Sequence, residues 1–248
     1  MQRWIDFCWS CAREPVLTCA GTRNIIRNVQ WRTQLPQDLQ LTDVGYKPNG
    51  SKISQLKKYY KNEESTIKAL EDWEVIREKG NYNSVGITTH AHQKKGFTKQ
   101  GFCIQAYTIT QINKQQEVDI FYRTTEVVKK FAADLVFFRD EIIPIFELDN
   151  PVVNFHFANV TIHPMHMIQL APLDKGFFEN LDEMKTIDFR FYRSVIKWSH
   201  DSLEKMYTSK YLTQQRIGQS IKENSKPNQF KRIEKKVNER YENLPEFQ

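Results

Sequence analysis

Cys103, Arg123, Thr124 and Asp134 are the residues whose types and spacing could do chemistry together: Arg123 falls twenty residues after Cys103, and Asp134 eleven after Arg123. A thiolate is a strong nucleophile, and a neighbouring guanidinium lowers the thiol pKa while its planar fork takes two phosphate oxygens at once. The Thr124 hydroxyl adds a further hydrogen bond, and an ionised Asp134 accepts hydrogen bonds without donating any. The set reads as nucleophile, phosphate binder and base reader. Taken singly the residues are ordinary, because a strand cysteine more often packs a core and a surface arginine is more often solvated.

Positioning them requires a sheet followed by a helix. Val85–Thr89, Phe102–Ile109 and Glu117–Tyr122 are short β-branched or aromatic runs separated by polar turns, which predicts consecutive strands in an antiparallel or mixed sheet. A helix is expected over Thr125–Phe138 and a strand over Val152–Ile162. Earlier, a β region containing Asn28–Leu35 should end at the turn Tyr46–Gly50. Ser65 should then cap a helix whose apolar positions Ile67, Leu70, Trp73 and Ile76 recur at helical spacing. Strands and helices in this arrangement predict an α+β fold.

A hydrophobic fraction of 40% with 12% aromatics excludes a disordered chain. The most apolar stretches, Leu135–Phe138 and Ile142–Phe146, are interrupted by Arg139, Asp140 and Glu141, so no membrane span is expected. The balance of 36 Lys+Arg against 30 Asp+Glu favours anionic partners. Four cysteines without a signal-like apolar start point to a reducing cytoplasm. Cys8 and Cys11 form a C-x-x-C with Cys19 nearby but lack further ligands in the next segment, which favours buried thiols over zinc. Residues 1–213 read as one domain. The tail 214–248 carries eight Lys+Arg and five Asp+Glu with few large apolar residues; it should bury little surface, as a solvated, partly helical or disordered terminus more readily than as a basic face for nucleic acid.

The stretch from Asp119 to Asp134, DIFYRTTEVVKKFAAD, resembles the nucleotide-binding segment of the thymidylate synthase family, and in particular the bacteriophage deoxycytidylate hydroxymethylases. Those enzymes carry Asp where thymidylate synthases carry Asn, and Cys103 lies at the spacing of the family's catalytic cysteine. Ser84–Thr89, Gln55–Leu70 and Ile187–Phe191 resemble flanking segments, the last a late strand. The resemblance implies a thymidylate synthase-like mixed sheet flanked by helices. It also implies a homodimer packed through its sheet faces, a pyrimidine deoxynucleotide substrate and, if the source is viral, a location in the host cytoplasm. Thr161 and His163 would hold the sugar hydroxyl, and Glu126 would contact the cofactor 5,10-methylenetetrahydrofolate. Pyrimidine C5 is a poor nucleophile until a thiolate adds to C6, which is the role implied for Cys103; Asp134 would accept from the cytosine N4 amino group.

The chain departs from the family at four places. The catalytic Glu falls on Gln55, whose amide cannot relay protons, and the Arg pair reaching into a partner's phosphate site falls on Asn83 and Ser84. A glycine that makes room for folate falls on Lys130, and a tryptophan-bearing folate segment is missing, which counts against folate as donor. Two functions follow as expectations. The first is a pyrimidine nucleotide C5 one-carbon transferase, and the second is a catalytically degenerate relative serving as a binding or structural subunit.

Overall fold

The computed structural model describes residues 1–14, 17–18, 24–48, 50–78, 82–88, 103–207 and 212–245. Helix α1 (Gln2–Arg13) leads to a short β1 (Leu17–Thr18) and a long β2 (Asn24–Thr33). Helices α2 (Ser51–Leu56) and α3 (Glu64–Ile76) precede β3 (Tyr82–Thr88), β4 (Ile104–Ile112) and β5 (Gln115–Tyr122). Next come β6 (Thr125–Glu126), α4 (Lys130–Phe137) and β7 (Val152–Ile162). The described chain closes with α5 (Pro164–Met167), α6 (Phe177–Ile187), α7 (Phe189–Glu204), α8 (Leu212–Glu223) and α9 (Pro227–Glu242). Mixed α and β structure with a mixed sheet is the α+β class expected from the sequence.

The strands form one sheet in the order β1-β2-β7-β5-β4-β3, with β6 added to β7. β7 is the pivot, because it runs antiparallel to β2 and parallel to β5. A parallel neighbour demands a crossover, and α4 lies within the connection from β5 to β7. Side chains alternate across each strand. Val153, Phe155, Phe157, Val160 and Ile162 of β7 face the core with Val118, Ile120 and Tyr122 of β5. The opposite face is polar: Arg32 bonds Glu117 and Asn154, and His156 Nε2 lies 2.9 Å from Asp119. Phe121, stacked on His156, and the exposed Tyr82 and Ile112 add apolar surface to that face.

The core is centred on Phe131 in the first turn of α4. Its ring meets Phe155 and Phe157 edge-on at 4.9 and 5.1 Å, and Phe7 and Trp31 close the cluster. Every residue of α4 from Phe131 to Phe137 is buried. A helix enclosed on all sides leaves no solvent-facing stripe for a polar side chain, so Asp134 must be buried with its neighbours.

Several local expectations change. The segment expected as one helix over Thr125–Phe138 begins as β6 and a turn, and α4 starts only at Lys130. Glu63 rather than Ser65 caps α3, its carboxylate accepting from Ser65 N at 2.9 Å. Ile187–Phe191 is not a strand: Asp188 accepts from Phe191 N at 3.0 Å and caps α7. The tail also buries more than its composition suggested, since Ile217, Ile221, Ile233 and Val237 of α8 and α9 join the core. Lys236 and Arg240 of α9 both lie over the Phe178 ring, and Arg240 also pairs with Asp182, so these two cations are held within the chain. Among the described residues no helix is long and apolar enough to cross a membrane.

Candidate functional site

Cys103 stands at the entry to β4, and its carbonyl accepts from Arg123 N at 2.8 Å, just beyond the end of β5. The β4–β5 pairing therefore joins two residues twenty apart in sequence. Thr124 follows half-buried, while the Arg123 side chain is exposed. The charge of Asp134 also acts on Cys103. Cys103, Arg123 and Asp134 thus come from the start of β4, the end of β5 and α4.

Asp134 is 3% exposed, and Lys52 of α2 places Nζ 3.3 Å from its Oδ1. Burial pushes the Asp134 carboxyl above the ordinary aspartate range, and Lys52 pulls it back in part. The buried Tyr122 hydroxyl lies beside Asp134 and finds no partner in hydrogen-bonding geometry among the described residues. Tyr60 completes the wall, its hydroxyl accepting from Ile104 N at 3.4 Å.

The Lys52–Asp134 pair is held at both ends. Beyond α2 and α4 the chain makes two single π-helical turns, Lys57–Lys61 and Phe138–Ile142. Lys57 and Lys61 of the first clamp Glu141 of the second at 2.8 and 2.6 Å. One such turn is uncommon and favours functional sites. Here two face each other across two ion pairs that share Glu141, fixing the end of α2 against the end of α4.

The electrostatics of Cys103 differ from expectation. Burial raises its pKa and Asp134 raises it further, while Lys52, Lys130 and Arg123 act in the lowering direction without prevailing. Arg123 thus acts on the thiol in the expected direction but is outweighed by burial and by Asp134.

The remaining candidates take other positions. Gln55 is exposed on α2, one turn after Lys52. Glu126 is buried and its carboxylate is engaged, accepting from the backbone of Val128, Lys129 and Lys130 at 3.3, 2.8 and 3.3 Å. His166 Nδ1 adds a contact at 3.2 Å. Burial would raise the Glu126 carboxyl, but His166 and the amides hold it below the ordinary glutamate range. Thr161 donates its hydroxyl to Thr125 O at 3.0 Å, so that hydrogen is committed to the sheet. His163 is buried at the start of α5, its ring 5.4 Å from His166 and 6.4 Å from Trp198. Asn83 faces the core, and Ser84 bonds Thr110 Oγ1 at 3.1 Å on the other sheet face.

Cys8 and Cys11 are buried free thiols on α1, with Cys11 pushed up to about 12 by burial; Cys19 lies outside the described residues. Lys52, Tyr60 and Tyr122 are the members of the site that the sequence reading did not assign to it. Lys52 precedes Gln55 by one turn of the same helix, and that spacing is the signal that could have found it. No known protein family and no curated protein matches the chain.

Proposed function

We propose that this chain is a pyrimidine nucleotide C5 one-carbon transferase, resembling the deoxycytidylate hydroxymethylases most. The observation that supports the reading is that β4–β5 pairing sets Cys103 beside Arg123 through the main-chain Cys103 O to Arg123 N bond, with the buried Asp134 of α4 close enough to act on the thiol. In the proposed reaction Cys103 Sγ forms a bond to C6 and the C5–C6 π pair moves onto C5 and the ring. C5 then attacks a one-carbon electrophile and loses its proton, and expulsion of the thiolate restores the double bond. Arg123 and Thr124 would take the phosphate, Asp134 the base edge, and Thr161 and His163 the sugar side. The donor 5,10-methylenetetrahydrofolate and its contact at Glu126 belong to the same proposal, although the Glu126 carboxylate is already occupied by α4 amides.

Covalent addition makes the C5 hydrogen exchangeable before any donor arrives. The protein should therefore release tritium from C5-labelled deoxycytidylate or deoxyuridylate, and Cys103→Ser should abolish the release. The raised thiol and the exposed Gln55 favour a second reading, a binding or structural subunit without catalysis. Absence of exchange with either nucleotide, with nucleotide binding retained, would establish that second reading.

The homodimer implied by the resemblance is proposed to join through the polar sheet face bearing Arg32, Asp119 and His156. Light scattering should then give twice 29.5 kDa, and Asp119→Lys should return the protein to that single-chain mass. A single-chain mass for the unaltered protein opposes the dimer.

A further inference from the structure

We propose that the open edge of β3 takes up an extended peptide carrying lysine or arginine, which adds to the sheet as a further strand. The inference is independent of the nucleotide site and concerns a partner.

β3 ends the sheet: among the described residues it pairs with β4 on one side and with no strand on the other. An edge strand leaves a row of main-chain N–H and C=O groups unpaired, and such edges are usually blunted by proline, lysine or an inward-pointing charge. Tyr82–Thr88 reads YNSVGIT and contains none of these. Helix α3 packs along β3, and Ser65 Oγ donates to Thr88 O at 2.7 Å and fixes one end of the contact. Between helix and strand runs a groove of about 470 Å³, bordered by Ala69, Asp72 and Ile76 of α3 and by Ser84, Val85 and Gly86 of β3. These three strand residues are consecutive, so their side chains alternate between the two faces of the sheet. A groove that touches all three follows the edge of the strand and not one face. A strand added there would hydrogen-bond to β3 and send alternate side chains into the groove, the mode by which sheet edges capture extended peptides.

The helix wall sets the chemistry of those side chains. In a chain of net charge +6, α3 exposes Glu64, Glu71, Asp72 and Glu74 against one lysine, Lys68. Lys68 lies one helical turn from Glu64, Glu71 and Asp72, so the wall keeps a net negative charge that cationic side chains of the added strand would meet. Val75, one turn beyond Asp72, is 56% exposed, and it offers apolar surface to the aliphatic stems of those cations.

Fluorescence anisotropy on the full chain tests this with a labelled heptapeptide that alternates lysine and valine. It should bind, and its glutamate–valine counterpart should not. Asp72→Lys should weaken the binding at least about threefold, in keeping with the modest worth of surface charge pairs. The binding mode is read with two N-methylated peptides, one methylated on its lysines and one on its valines, because a strand turns alternate N–H groups to opposite edges. One of the two should lose binding and the other keep it, and hydrogen exchange should slow in β3 of the complex. Equal effects of the two methylations, glutamate and lysine peptides bound equally well, an undiminished Asp72→Lys, or no binding of the lysine peptide overturns the inference.

Discussion

The surroundings of Cys103 oppose its ionisation. Burial and the Asp134 carboxylate both favour the thiol, and the three cations around it do not offset them. Its alkylation by iodoacetamide should therefore still be rising above about pH 9, where an unperturbed cysteine is levelling off. Asp134→Asn removes the charge that raises the thiol. At about pH 8 that variant should alkylate about two- to tenfold faster, the range set by up to one pKa unit; an unchanged rate would show that the carboxylate does not act on Cys103.

What the sequence revealed at this scale follows from strand pairing. Cys103 and Arg123 are adjacent because two neighbouring strands and a tight turn fix their distance, and sequence spacing encodes that directly. Lys52 and Asp134 are separated by more than a domain's worth of local rules. Their meeting depends on how α2 docks on α4, which no periodicity within either helix records. The engagement of Glu126 by α4 amides was equally hidden, because the start of that helix was expected five residues earlier.

Among the elements, α4 depends on two devices, the Phe131 ring below and the Glu126 carboxylate at its head. Phe131→Ala should cost about 3 to 5 kcal/mol, the usual price of truncating an enclosed aromatic. Glu126 acts differently. Its folded pKa lies below the ordinary glutamate value, so its contribution is present above the unfolded pKa and is lost as the pH falls through the folded one. Glu126→Gln should thus lower the urea midpoint near neutrality and matter progressively less in acid below about pH 4, a range set by the glutamate reference value. A difference that persists unchanged into acid would mean that the charge contributes nothing.

Strand identities were legible because alternation survives even where caps mislead: Val152–Ile162 stands in the structure as the sequence reads. Ile187–Phe191 misled because an aspartate cap between apolar residues imitates a strand over so short a window. The N-terminal helix α1 was not anticipated, although Trp4, Cys8 and Cys11 recur at helical spacing along its buried side.

For the whole molecule, the C-terminal helices are part of the core and not an appendage. Gly218 allows α8 to approach α7 closely: a Cβ there would collide with Ser202 O and lie 2.6 Å from Met206 Cβ. Gly218→Ala should destabilise the protein by about 1 to 3 kcal/mol through overpacking, read as a lowered denaturant midpoint. Composition alone hid this, because four isoleucine and valine side chains suffice to seat two otherwise polar helices, and a count of charges does not report where the few apolar residues fall.

The pairing of β2 with β7 also bears on how the chain is made. On one side Asn24 pairs nearby with Thr18 of β1, but on the other it meets Ile162, at the far end of β7. At a synthesis rate of about 5 to 20 residues per second, β2 leaves the ribosome on the order of ten seconds before the strand that covers it. During that interval the edge of β2 that will meet β7 is unpaired and Ile26, Val29 and Trp31 lack their cover, with β1 and α1 already made but the rest of the sheet not yet built. The nascent chain must wait for its central strand, and the newborn protein is most exposed to self-association just before β7 appears.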